Sequence, residues 1–161
     1  MQFLRRLAGL SRGERRLLVR ATILTALVQL ALGRVPFSTL RRLVTRGRHH
    51  DNGSREDDRG LADQVVWAVT AASRRVPGQA TCLSRALTVH ALLHRRGCPS
   101  RLHIGVVRSQ GTLAAHAWVE SGGRILIGGT ESEIGRFTPL AAFDAERACA
   151  PRSGSPVRAS R

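Results

Sequence analysis

The sequence predicts an α+β fold: amphipathic helices fill the first part of the chain, and a short antiparallel sheet follows. Two observations carry that expectation. Up to about residue 96 the apolar residues recur at helical spacing. Beyond it the period drops to two, as Leu102, Ile104 and Val106 alternate with Arg101, His103 and Gly105. The strand-like runs that follow are separated by only a few turn residues, too few for a parallel crossover, so neighbours must pair antiparallel. A length of 161 residues with 42% hydrophobic content suits one domain around one core.

The elements follow in order. Residues 11–32 carry Leu17, Leu18, Ile23, Leu24, Leu27, Val28 and Ala31 at helical spacing, with Arg12, Arg15, Arg16 and Arg20 along the first half. This predicts an amphipathic helix with a basic face, packed on the core or else docked on a partner or membrane surface. Gly33 and Pro36 end it, and Ser38 is the expected N-cap of a short second helix bearing Leu40, Leu43 and Val44. Residues 46–60 are polar and read as a loop. A third helix is expected over 61–75, with Leu61, Val65, Val69 and Ala72 inward, stopped by Pro77-Gly78. A fourth spans 82–96, with Cys82, Ala86, Val89 and Leu93 in one stripe, Gly97 at its C-terminal turn and Pro99 beyond. Strands are expected at 102–106, 114–120 and 124–128. Thr138-Pro139 resembles an N-cap followed by proline at the first helical position, which predicts a last helix to about residue 148. The expected organisation is thus a helical segment at 1–48 packed on a core at 61–149, with a disordered Ser/Pro/Gly/Arg tail at 150–161.

The net charge is +15, and all 26 basic residues are arginine. Such a balance attracts anionic partners without choosing among them. Four Phe, two Trp and no Tyr argue against a stacking platform for single-stranded nucleic acid, so no nucleic-acid partner is expected. A weak membrane-surface contact through the first helix stays open. The apolar run at 21–33 falls short of the roughly 20 residues a span requires, and no secretory signal is evident. Three cysteines do not make a disulfide framework or a zinc site, which fits a reducing cytoplasm.

Chemistry concentrates in two residues. Cys82 opens a helix, where the positive end of the peptide dipoles favours negative charge on sulfur. His116 lies within the strand-like run Ala114–Glu120, on one face with Trp118 and Glu120. An apolar helix face meeting that histidine-bearing sheet face would bring nucleophile and base together, in the order of papain-type enzymes. The competing reading makes Cys82 a small core residue and His116 a satisfied core histidine. His90 and His94, at i and i+4, suit a metal pair but lack a third ligand and read as a solvated face; no metal and no cofactor are expected. His49, His50, Cys98 and Cys149 are assigned no role.

The block Cys82-Leu-Ser-Arg-Ala-Leu-Thr-Val-His-Ala-Leu-Leu-His-Arg-Arg-Gly97, then Leu102-His-Ile-Gly-Val106, then Ala115-His-Ala-Trp-Val-Glu120 and Gly123, resembles the protease part of lasso-peptide biosynthesis B proteins, members of the transglutaminase-like superfamily. The resemblance covers about residues 80–140. It implies a transglutaminase/papain-like core and a cysteine peptidase that removes the leader from a ribosomally made precursor peptide. Cys82 maps to the nucleophile and His116 to the base. The small leader-binding domain of fused B proteins is not evident, which implies a split system with a separate leader-recognition protein and an ATP-dependent lasso cyclase as partners.

The resemblance also implies an Asp on the strand after the histidine strand, and none stands there. If Gly122-Gly123 is a two-residue turn, Ser121 pairs with Arg124 and His116 faces Gly129; a three-residue loop brings Gly128 there instead. Glu131 is then diagonal to His116 in the first register and is the candidate third residue, with a Cys–His dyad as the alternative. Glu120 shares the histidine's face but is too distant along the strand. Gln79, just upstream of the thiol, and Trp118, beside the histidine, are the candidate substrate-binding residues. An acyl transferase using the same pair, or a basic binding module with Cys82 in its core, are the competing functions.

Overall fold

A computed structural model of the chain describes residues 10–45, 55–76, 80–109 and 111–144. Helix α1 (Arg12–Leu32) is opened by a capping box. Ser11 Oγ accepts from the Glu14 N–H at 3.2 Å, and the Glu14 carboxylate accepts from the Ser11 N–H at 2.8 Å. The helix buries Leu17, Leu18, Ala21, Thr25 and Val28, but Val19, Ile23, Leu27 and Leu30 stay exposed. It therefore packs on the core through one apolar face and turns a second one outward. Helix α2 (Phe37–Thr45) starts directly after Pro36, whose carbonyl accepts from the Leu40 N–H, so Ser38 sits inside its first turn rather than capping it.

Helix α3 (Arg55–Ser73) begins six residues before its expected start at 61. Of the expected loop at 46–60, residues 46–54 lie outside the described set and 55–60 are helical. The reason is that Glu56, Asp57 and Asp58 carry no apolar period, yet acidic residues are favoured in a first helical turn. Val65, Ala68, Val69 and Ala72 are fully buried against helix α4 (Cys82–His94), the central helix of the core. Ala86, Leu87, Val89 and Leu93 of α4 are buried as expected, but so are His90 and His94, which corrects the solvated face assigned to that pair.

The sheet contains β1 (Arg101–Ser109), β2 (Thr112–Ser121), β3 (Arg124–Ile127) and β4 (Thr138–Asp144), all antiparallel, in the order β3-β2-β1-β4. Among the described residues four strands replace the expected three, because the start of the helix expected over 138–148 is instead β4, paired to β1 from Arg101↔Asp144 to Val106↔Thr138. Proline fixes the same φ at a helix start and in an edge strand, so Thr138-Pro139 was compatible with both. Residues 145–149 and the expected tail at 150–161 lie outside the described residues. Leu102, Ala117 and Val119 point from the sheet into the helical core. The chain between β3 and β4, with the short helix α5 (Glu131–Ile134), crosses from one sheet edge to the other. Among the described residues no helix is long and apolar enough to cross a membrane.

Candidate active site

Thr81 caps α4: its hydroxyl accepts from the Ser84 N–H at 3.2 Å, and Ser84 Oγ donates to the Thr81 carbonyl at 3.0 Å. Cys82 thus occupies the first helical position, half-buried, with a free thiol. The Thr81 N–H is tied to α1, donating to Gln29 Oε1 at 3.2 Å. Two helices distant in sequence therefore fix the entry to the helix that carries the thiol.

His116 is half-buried on β2, on the sheet face with Trp118 and Glu120. That face is not the one packed on the helices: Ala117 and Val119 belong to the helical core, while His116 and Trp118 lie on the other side. The expected meeting of helix face and histidine face is therefore corrected. Thiol and histidine instead share a cleft past the end of the short β3. The strand ends at Ile127, and Gly128 (φ 117°) and Gly129 (φ 130°) then turn the chain in conformations that L side chains rarely adopt. The cleft, of about 510 Å³, is lined by Cys82, Arg85, His116, Glu133, Arg136 and Phe137.

His116 Nε2 is hydrogen-bonded to the Gly128 carbonyl. A carbonyl oxygen only accepts, so Nε2 carries the proton in the neutral ring and Nδ1 is the basic nitrogen. Phe137 stacks on the imidazole with centroids 5.1 Å apart, and Trp118 lies 6.5 Å away on the same face. Trp118 is itself buried, stacked on His103 at 5.2 Å. A Cβ at Gly128 would run into the Cα and Cβ of Trp118, so the tryptophan and the glycine pack backbone to side chain. Trp118 is not among the cleft-lining residues. It supports the carbonyl that holds the histidine.

Glu131 stands exposed in the first turn of α5 and does not line the cleft. The strand register that made it diagonal to His116 does not extend so far. The two-residue turn at Gly122-Gly123 is present, with Ser121 opposite Arg124, but a bulge between Val119 and Glu120 shifts the pairing, and β3 stops before reaching the histidine. The carboxylate at the cleft is Glu133, which the sequence reading missed. It accepts from the Thr130 N–H at 2.8 Å and its hydroxyl at 2.9 Å. Its pKa is held below the usual range by those backbone and side-chain bonds, and further by the charge of His116. The signal for it was present: Thr130-Glu131-Ser132-Glu133 is a capping-box sequence that starts a helix. Glu120 pairs instead with His103, Oε2 to Nε2 at 3.3 Å. Gln79 lies outside the described residues.

A free thiol at a helix N-terminus, sharing a cleft with an oriented strand histidine, defines the cysteine-based class of enzyme chemistry. The family comparison agrees: residues 21–142 match the family described as the transglutaminase-like superfamily, a match that takes in most of α1, all of α2 to α4 and the sheet up to the last two residues of β4. The chain belongs to that superfamily, which includes cysteine peptidases and acyltransferases. No curated protein and no solved structure matches it.

Proposed function

We propose that the chain is a cysteine peptidase that cleaves the leader from a ribosomally made lasso-peptide precursor, in the cytoplasm. The observation that carries the reading is the shared cleft, with His116 anchored through Nε2 so that Nδ1 is left for the thiol. The Cys82 thiolate attacks the carbonyl carbon of the leader–core amide, and the oxyanion forms beside the Cys82 N–H, a first-turn amide with no intrahelical acceptor. Protonated His116 gives its proton to the leaving amine as the C–N bond breaks, leaving a thioester on the leader. His116 then takes a proton from water, which attacks the thioester and releases the leader acid and free thiol. Gly128 and the charge of Glu133 orient the imidazole, a task the sequence assigned to Glu131. Gln79, just upstream of the thiol, is a candidate for a second oxyanion donor. The freed core amine suits a separate ATP-dependent cyclase, and a separate leader-recognition protein would present the precursor.

The test is incubation with the precursor peptide, with and without the leader-recognition protein, followed by intact-mass spectrometry. Wild type should yield leader and core fragments, and Cys82→Ala and His116→Ala should each lower turnover by at least about a thousandfold. Addition of a small amine separates hydrolysis from acyl transfer, because a transferase would convert the leader to an amide. Cleavage unchanged in Cys82→Ala would overturn the reading. A half-buried thiol lining a cleft already weighs against the alternative in which Cys82 is a core residue of a basic binding module.

A further inference from the structure

The outward apolar face of α1 borders a second groove, of about 620 Å³, remote in composition from the thiol cleft. Ile23 and Leu27 of α1 form one side and remain more than half exposed, while Leu24 and Leu61 are half-buried in it. Val19 and Leu30 extend the exposed stripe to i, i+4, i+8 and i+11, the spacing that receives another helix. Arg20, Arg95 and Arg96 line the same groove. Arg96 is half-buried, and its Nη1 is shielded from solvent with no hydrogen-bond partner among the described residues. Its guanidinium pKa is lowered, by burial first and then by the charge of Arg20, with Cys98 opposing. A half-buried cation facing a second cation beside an apolar groove is an arrangement that a carboxylate would complete.

We infer that this groove docks an acidic amphipathic helix of a second protein, its apolar face covering Ile23, Leu24 and Leu27 and a carboxylate reaching Arg96 and Arg20. Charge selects the occupant. A second copy of this chain, at +15, brings like charge to an arginine-lined groove. The chain's own segments outside the description at either end are also net basic, with Arg5 and Arg6 at one end and Arg147, Arg152, Arg158 and Arg161 against Glu146 at the other. A helix with glutamates flanking its leucines matches both the surface and the field.

Binding at this groove does not depend on the thiol chemistry and is read without catalysis. The probe is a fluorescent synthetic helical peptide with leucines at i, i+3, i+4 and i+7 and glutamates elsewhere, titrated with the full chain and followed by anisotropy. Its lysine-for-glutamate counterpart and vesicles of anionic and of zwitterionic lipid serve as the other arms. The acidic peptide should bind, the lysine peptide should bind at least about tenfold more weakly, and Arg96→Gln and Ile23→Ser/Leu27→Ser should each weaken the acidic peptide about five- to tenfold. Thermal melts of each variant check that its fold is intact before its binding is compared. Equal binding of both peptides, binding indifferent to the groove variants, no peptide binding, or binding only to anionic vesicles would each overturn the proposal.

Discussion

Because a backbone carbonyl can only accept, the bond from His116 Nε2 to Gly128 selects the tautomer and fixes the ring plane, as a carboxylate does in a catalytic triad. This makes Gly128→Ala an informative substitution. At φ 117° the new methyl would be strained, and it would press on Trp118. The turn must move, at about 1–3 kcal/mol in stability, and the carbonyl must move with it. Turnover should fall at least about tenfold in a protein that still folds; turnover equal to wild type would show that the carbonyl does not hold the base. Glu131→Gln should leave turnover near wild type, since that side chain is exposed away from the cleft, whereas Glu133→Gln should lower it severalfold by loosening the Thr130 turn. At the same scale, His90 is fully buried, its Nδ1 3.1 Å from Ser100 Oγ and its Nε2 without a partner among the described residues. Burial, and then the charges of His94 and Arg41, push its pKa from 6.5 down to about 4. A folded-state pKa below the unfolded one means stability is full above the unfolded value and is lost as pH falls towards the folded one. The loss should be on the order of 3 kcal/mol between pH 7 and pH 4, read as the urea midpoint of wild type minus that of His90→Asn at each pH. A difference that does not change with pH would remove His90 from the acid sensitivity.

Elements were legible where they carry their own period, and illegible where a distant partner decides. Helix α4 announced itself through Ala86, Val89, Leu93 and the stop at Gly97, and the Gly122-Gly123 turn gave the β2–β3 pairing at its first rung. The start of α3 was hidden because Arg55 to Asp58 have charge but no apolar spacing. β4 was hidden because its partner β1 lies more than thirty residues away, and a Thr-Pro pair fits either a helix start or a sheet edge. The bulge at Val119/Glu120 and the end of β3 at Ile127 were equally invisible, and together they take Glu131 out of line with the histidine. The candidate site was therefore legible as two residues that share a cleft, Cys82 and His116, but not as the Gly128 turn that holds the histidine ring. Gln29 of α1 accepts from the backbone N–H of Thr81, the residue that caps the thiol helix. Gln29→Ala should lower stability by about 1 kcal/mol and lower kcat severalfold with little change in KM, because it frees the helix entry rather than a substrate contact. A rise in KM with kcat unchanged would place Gln29 in substrate binding instead.

Over the whole molecule the charge of +15 is the dominant long-range term. The ion pairs of the described residues do little to offset it: Arg101–Asp144 at 2.6 Å and Arg124–Asp63 at 2.7 Å are both well exposed, where such pairs are worth about 0–1 kcal/mol. Most arginines among the described residues are instead exposed, as Arg12, Arg15, Arg16 and Arg20 are along α1. Like charges confined to a compact state repel one another more than in the expanded chain, so the native state carries the larger electrostatic penalty. Salt shortens the reach of that repulsion from roughly 30 Å at 0.01 M to about 8 Å at 0.15 M. Melting temperature should therefore rise by several degrees between 10 and 150 mM sodium chloride, as expected for about 1 kcal/mol in a domain of this size. Charge reversal at Arg12 and Arg16 to glutamate should flatten that dependence. A melting temperature that falls with salt would mean that attractive pairs, not repulsion, dominate the surface. The groove of Arg20 and Arg96 would then owe its preference for an anion to local geometry alone.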